Sequence, residues 1–302
     1  MRVIITGGTG LIGKALAKSL VADGHEVIIL SRDPSTAKLD GGVRVEKWNA
    51  RTGDGWSNHI TSDTAIVNLA GAGIGDKRWS EDRKKLILES RTNAGAAVVD
   101  AIEKATEKPR VVIQSSAVGY YGTPGDTILT ENSPAGEDFL ADVCKQWEDS
   151  TKAVEAMGVR RVVIRSGVVL SMDGGAFPRM LLPYKLMVGG PIGNGKHWFP
   201  WIHIDDEVKA IRFLIENDAA SGVFNIMAPH PLTNTDFNHE VGKTMNKPAV
   251  IPVPKLALQL MFGEMAIILI EGQRAVPQRL QELNFGFTYP TAEPALKNLL
   301  KK

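Results

Sequence analysis

Short apolar runs alternate with amphipathic stretches along the first part of the chain. Arg2-Val-Ile-Ile-Thr6 is a short apolar run that leads into glycines, a pattern that predicts a buried parallel strand. In residues 10–23 the apolar positions Leu11, Ile12, Ala15, Leu16 and Leu20 fall at helical spacing, and Gly24 supplies a C-cap. Further strands are predicted at Glu26–Ser31 and at residues 43–48, 64–69, 110–115 and 160–170. Helices are predicted at Glu81–Lys104 and at residues 139–157, the second ended by Gly158. Strands alternating with helices in this way predict an α/β fold, a Rossmann-type doubly wound parallel sheet covered on both faces.

Beyond Leu170 the pattern changes. Pro, Gly and Trp crowd residues 174–201; a helix returns at 205–216, a strand at Gly222–Ile226, and another helix from about Asn234, capped by Asn or Thr. The expected organisation is a dinucleotide-binding domain over residues 1–170, which residues 202–226 rejoin. A smaller C-terminal substrate lobe is expected from residues 171–201 and 227–302. The longest apolar stretch, residues 256–270, contains Gln259 and Glu264 and is too short to span a bilayer. It predicts a core helix, or a surface covered by another chain, in which case the protein is a homo-oligomer.

Composition narrows the function classes. Among 302 residues, 35 Lys and Arg balance 34 Asp and Glu, so no field draws nucleic acid or an anionic membrane. The single cysteine, Cys144, excludes a disulfide framework within the chain, and a strand beginning at Arg2 predicts no signal peptide; both point to a cytoplasmic protein. No Cys/His cluster has zinc-ligand spacing, so no metal is expected.

The chemistry begins at Thr6-Gly-Gly-Thr-Gly-Leu-Ile-Gly13, where a strand turns into a helix. Gly7, Gly10 and Gly13 fit T-G-x-x-G-x-x-G, and Gly8, Gly10 and Gly13 fit G-x-G-x-x-G. An early glycine makes the turn, Gly10 lets backbone approach a pyrophosphate, and Gly13 lets the helix pack closely. Backbone amides of Gly7, Gly8, Thr9, Gly10, Leu11, Ile12 and Gly13 then meet the phosphates of a nicotinamide dinucleotide. The second strand ends Leu30-Ser-Arg-Asp33. Arg32 can donate a forked pair of hydrogen bonds to a 2′-phosphate, with Ser31 adding a hydroxyl, which selects NADP(H); Asp33 on the ribose hydroxyl would instead select NAD.

These residues resemble the extended short-chain dehydrogenases, the nucleotide-sugar epimerase and dehydratase group. Asn68-Leu-Ala-Gly71 is similar to the loop lining the cofactor after the fourth strand, Ser115-Ser-Ala-Val-Gly-Tyr-Tyr-Gly122 to the serine-to-tyrosine segment after the fifth, and Arg165-Ser-Gly-Val-Val-Leu170 to the strand passing the nicotinamide. The resemblance implies cofactor contacts at Leu69, Ala70, Gly71, Ser115 and Val169. Trp147-Glu148, Gly189-Gly-Pro191, Phe199-Pro-Trp-Ile-His203 and Glu271-Gly-Gln273 resemble one atypical branch, the "epimerase family proteins", which implies NADP(H) and leaves the substrate undefined.

The usual Y-x-x-x-K pair is missing. Its helix carries Ala141-Asp-Val-Cys-Lys145, with Lys145 in the lysine slot and Ala141 in the tyrosine slot. If Tyr121-Gly122 matches the family's Tyr-Gly pair, Ala117 fills the serine slot; if Tyr120 matches instead, Ser116 does. Ser116, Tyr121 and Lys145 are the catalytic candidates, with Tyr120, His197 and His203 as alternatives; His203 beside Asp205 and Asp206 also reads as a helix-start turn. Two readings follow. One is an NADP(H)-dependent oxidoreductase or epimerase-like enzyme acting on a small polar or nucleotide-linked substrate. Trp147, Trp198 and Trp201, with Lys196 and His197, would then line its pocket. The other is a non-catalytic NADP(H) sensor.

Overall fold

Among the described residues (1–37, 39 and 41–301 of a computed structural model), seven parallel strands form one sheet. They are β1 (Arg2–Thr6), β2 (Glu26–Ser31), β3 (Val43–Lys47), β4 (Thr64–Asn68), β5 (Val111–Ala117), β6 (Arg160–Ser166) and β7 (Gly222–Ile226). Their spatial order is β7-β6-β5-β4-β1-β2-β3. The chain winds outward from β1 to β3, then returns to place β4 on the other side of β1. The order reverses between β1 and β4, and the crevice there is where such sheets take ligands.

Helices α1 (Leu11–Ala22), α2 (Glu81–Lys104), α3 (Phe139–Asp149) and α4 (Ile204–Glu216) cover the sheet. Alternate strand residues face opposite ways. Val3, Ile5, Ile29 and Val67 pack against Leu16 and Leu20 of α1 and Ile211 and Leu214 of α4. Ile4, Ile28, Ile66 and Val112 pack against Ala94, Ala97, Val98 and Ala101 of α2. Burial of both faces explains why these strands read as unbroken apolar runs. A separate cluster, including Phe177, Tyr184, Trp201, Phe237 and Leu296, joins α5 (Asn234–Met245) to α7 (Ala292–Leu300), with α6 (Lys255–Phe262) between them in the chain. At the free edge of β7, the Glu131 carboxylate accepts from Asn225 N (3.0 Å) and Arg279 donates to Val223 O (2.6 Å), so charged side chains close the strand to further pairing.

Three elements differ from expectation. The helix predicted over residues 139–157 ends at Asp149, where Ser150 Oγ donates to Trp147 O at 2.6 Å, and resumes as the short Ala153–Ala156. A Cβ on Gly95 of α2 would lie 1.9 Å from Ser150 Oγ, so close packing of α2 sits at this break. The strand predicted over residues 160–170 splits at Gly167: β6 pairs with β7, while Val168–Leu170 pairs with Trp201–His203. A Cβ on Gly167 would stand 2.8 Å from Pro200 O, so the crossing requires glycine. Residues 256–270 are not one core helix. The helix α6 stops at Gly263 (φ +60°), a 3-10 turn follows, and Leu256, Leu260 and Met261 are exposed. Among the described residues no helix is long and apolar enough to cross a membrane.

Two buried carboxylates sit at the C-terminal end of β6. Glu148 of α3 receives Arg165 through two parallel bonds, Nε–Oε1 at 2.8 Å and Nη2–Oε2 at 2.9 Å. Glu207 of α4 is fully buried; Oε1 accepts from Ser166 Oγ at 2.7 Å and Oε2 has no partner among the described residues. Burial pushes the Glu207 pKa up to about 7 from 4.5, the Ser166 bond opposing it.

Glu148→Ala should destabilise the fold by about 3–5 kcal/mol, because it strands a buried guanidinium, and adding Arg165→Met should recover much of that in urea unfolding. Glu207 binds its proton more tightly folded than unfolded. Its stabilisation is therefore complete below pH 4.5 and lost as pH rises to about 7. Unfolding at pH 5 and pH 8 should show Glu207→Gln gaining on the wild type at the higher pH, by on the order of 3 kcal/mol.

Candidate functional site

The turn between β1 and α1 is tightly closed. Gly7 has φ +67°, which favours glycine, and a Cβ there would lie 2.7 Å from the Leu69 carbonyl. A Cβ on Gly13 would fall 2.5 Å from Gly8 Cα and 2.7 Å from Gly7 O, and one on Gly8 would meet Ile29 at 2.6 Å. Gly10 differs: a Cβ there would have only Gly7 O near it, at 3.2 Å, and both Thr9 and Gly10 are exposed. As N-cap, Gly10 offers no side-chain acceptor, and the first turn of α1 holds no acid. The opening amides, those of Leu11, Ile12 and Gly13, are thus left to meet an anion.

A chain of buried hydrogen bonds joins this turn to the next two strands. Thr6 Oγ1 donates to Asn68 Oδ1 (2.6 Å), Asn68 Nδ2 to Gln114 Oε1 (2.8 Å), and Gln114 Nε2 to Ser115 O (2.6 Å). Ala70 N donates back to Thr6 Oγ1 at 3.3 Å. Leu69, Ala70, Gly71 and Ser115 therefore lie on the same C-terminal edge as the glycine turn. The loop continues onto Arg91, whose Nη1 donates to Ala72 O at 3.0 Å and whose guanidinium stacks 4.8 Å from the Trp147 ring. Burial lowers the Arg91 pKa to about 10. Val169 is half-buried on the short strand that follows β6 and pairs with Trp201–His203.

At the end of β2, one strand over from the glycine turn, Asp33 folds forward. Its Oδ1 accepts from Ser35 N (3.2 Å) and Ser35 Oγ (2.6 Å), capping the 3-10 turn Pro34–Thr36. Ser31 Oγ accepts from Asp33 N at 3.2 Å, and Arg32 is exposed.

The catalytic candidates separate. Ser116 is buried and donates to Glu148 Oε1 at 2.7 Å. Tyr121 is buried too; its hydroxyl donates to Asn225 Oδ1 (2.7 Å) and accepts from Arg165 Nη1 (3.1 Å), and burial raises its pKa. Lys145 is half-buried, one turn beyond the fully buried Ala141, and has no hydrogen-bond or ion-pair partner among the described residues. Tyr120 lies with its ring 3.3 Å from the Arg165 guanidinium and its hydroxyl unpartnered among the described residues. His203 caps α4: Nδ1 accepts from Asp205 N at 3.0 Å, Nε2 meets Asn298 Oδ1 at 3.1 Å, and burial lowers its pKa. His197 is half-buried, its Nδ1 has no partner among the described residues, and burial with Lys255 nearby lowers its pKa.

Glu148 and Arg165 organise this edge, although sequence reasoning had them only as motif residues. Helical spacing carried a signal for Glu148, because Ala141, Cys144 and Glu148 share one face of α3 and all three are buried. Arg165 is a buried charge directly after the apolar residues Val162, Val163 and Ile164 of β6. The partnership with Ser116 and Tyr121 had no local signal.

Residues 3–226 match the NAD dependent epimerase/dehydratase family, and residues 253–299 match a domain of unknown function. The chain is 39% identical to the Arabidopsis thaliana protein named "Epimerase family protein SDR39U1 homolog, chloroplastic", over 100% of this chain and 87% of that one. It is also 39% identical to Bacillus subtilis "Epimerase family protein YfhF", over 99% and 98%. Human epimerase family protein SDR39U1, solved with NADPH, superposes with a TM-score of 0.90 at 37% identity, covering 99% of both chains. A glycine turn, a reversing strand order and a match along most of the chain agree: this chain belongs to the NAD dependent epimerase/dehydratase family.

Proposed function

We propose that the chain binds NADP(H) across the β1–β4 crevice and uses it as an oxidoreductase or epimerase-like enzyme on a small polar or nucleotide-linked substrate. The pyrophosphate would lie on the amides of the Gly7–Gly13 turn, and the 2′-phosphate would meet Arg32 and Ser31. Leu69, Ala70, Gly71, Ser115 and Val169 would line the path to the nicotinamide. The observation that carries the phosphate form is at the end of β2: Asp33 caps the next turn while Arg32 stands exposed. That the human relative was solved with NADPH supports the same reading. When bound, NADP(H) supplies or accepts a hydride at the nicotinamide.

Proton transfer must then come from somewhere other than α3, since Ala141 occupies the tyrosine position and is fully buried. Tyr120 suits this task better than Tyr121, whose hydroxyl is already engaged on both sides. Ser116 and Tyr121 serve as positioning residues through Glu148 and Arg165. Lys145, free of partners among the described residues, holds the nicotinamide ribose. The buried Ala141 also favours a second reading, a sensor that binds NADP(H) without turnover.

Arg32→Asp should weaken NADPH binding by at least about tenfold in calorimetry and move the preference towards NADH, since a charge-assisted bond contributes roughly 1.5–3 kcal/mol. Equal NADPH affinity in the variant would remove the phosphate assignment. With a carbonyl panel, NADPH oxidation by Tyr120→Phe should fall by about 10²-fold while NADPH binding is kept. Tight NADPH binding with no turnover across the panel in the wild type would favour the sensor.

A further inference from the structure

We infer that Arg274, stacked on Trp198, anchors an oxyanion of the substrate, so that the substrate is a small carbonyl or hydroxy compound carrying a carboxylate or phosphate ester. This rests on the NADP(H) reading above and adds the substrate's charge to it.

The residues Glu271-Gly-Gln-Arg274 dock against two sides of the proposed reaction site. Gln273 Nε2 donates to Gly122 O at 2.6 Å, tying the segment to the loop that carries Tyr120. The strand Arg274–Ala275 pairs with Ile128–Leu129, just beyond that loop. On the other side, Gly272 lies so close to Trp198 that a Cβ would stand 1.7 Å from Trp198 O. The indole is held in turn: Nε1 donates to Asp126 Oδ1 at 2.9 Å. The Arg274 guanidinium therefore lies between the post-β5 loop and the substrate-lobe strand Trp198–Phe199, 4.4 Å from the Trp198 ring centroid.

Its edge is unused. Arg91, Arg160, Arg165, Arg212 and Arg279 all donate to carbonyls, hydroxyls or carboxylates. Arg274 is half-buried and, among the described residues, has no hydrogen-bond or ion-pair acceptor. The neighbouring cation Lys255 is already neutralised by Glu271 at 3.0 Å. Stacking covers one face of a guanidinium and leaves its in-plane donors open, the geometry that receives a carboxylate or phosphate through two parallel bonds.

The test uses full-length protein saturated with NADP⁺ and two matched pairs in calorimetry: pyruvate against propanone, and dihydroxyacetone phosphate against dihydroxyacetone. The charged member of at least one pair should bind tenfold or more tightly than its neutral partner, and which pair responds distinguishes carboxylate from phosphate. Arg274→Gln should abolish that preference and leave NADPH affinity within twofold. Arg274→Lys, which keeps the charge and loses the fork, should retain only part of it, and it serves as the readout if the Gln variant fails to fold. Equal binding within both pairs, absence of binding by all four compounds, or a preference that survives both substitutions would overturn the assignment. Failure of the wild type to bind NADPH at all would instead sink the cofactor reading.

Discussion

The functional edge of this molecule depends on how closely α1 approaches the turn that precedes it. Gly13 stands against Gly8 and Gly7 at distances that no side chain tolerates, and Gly7 against the Leu69 carbonyl. The first constraint seats the helix start over the end of β1, and the second places the loop after β4 beside it. The opening amides of α1, without a side-chain cap, then face the crevice where the strand order reverses. A larger residue at Gly13 would push the helix away and move those amides with it.

Around this turn the protein trades apolar packing for polar order. Below it the sheet is held by Val, Ile and Leu on both faces. At the strand ends, the row Thr6–Asn68–Gln114–Ser115 and the cluster Ser116–Glu148–Arg165–Tyr121–Asn225 take over. Each such group must find a partner, because a buried polar atom left alone costs more than a lost contact. Mutual satisfaction fixes the loops after β4 and β5 in one arrangement. It also commits the Tyr121 hydroxyl to structure and leaves that of Tyr120 available.

The side proposed to face the substrate is built differently. Its groups come from segments far apart in the chain: Trp198 from the Gly- and Pro-rich stretch, Gln273 and Arg274 from the C-terminal part, Tyr120 from the loop after β5. The strand switch at Gly167 links the two halves, because Val168–Leu170 leaves β7 and pairs with Trp201–His203. The edge proposed to hold the cofactor is thus made from local turns, and the wall proposed to face the substrate from long-range contacts.

Local patterns determined much of this protein. Hydrophobic patterning located β1, β2, β7 and α2 to the residue, and the remaining sheet strands within a few positions at their ends. The glycine spacing located the turn between β1 and α1, because a strand–turn–helix with bare amides is encoded within a few neighbouring residues. Breaks that arise from packing were not legible: the helix stop at Ser150 beside Gly95, the crossing at Gly167, and the stop of α6 at Gly263. Only the tertiary structure decided that Tyr121 rather than Tyr120 has its hydroxyl engaged, that Asp33 caps a turn, and that Arg274 stacks on Trp198 with no acceptor among the described residues. A side chain's partner in those cases lies outside its own element, or depends on which of two local partners wins, and neither is written in periodicity.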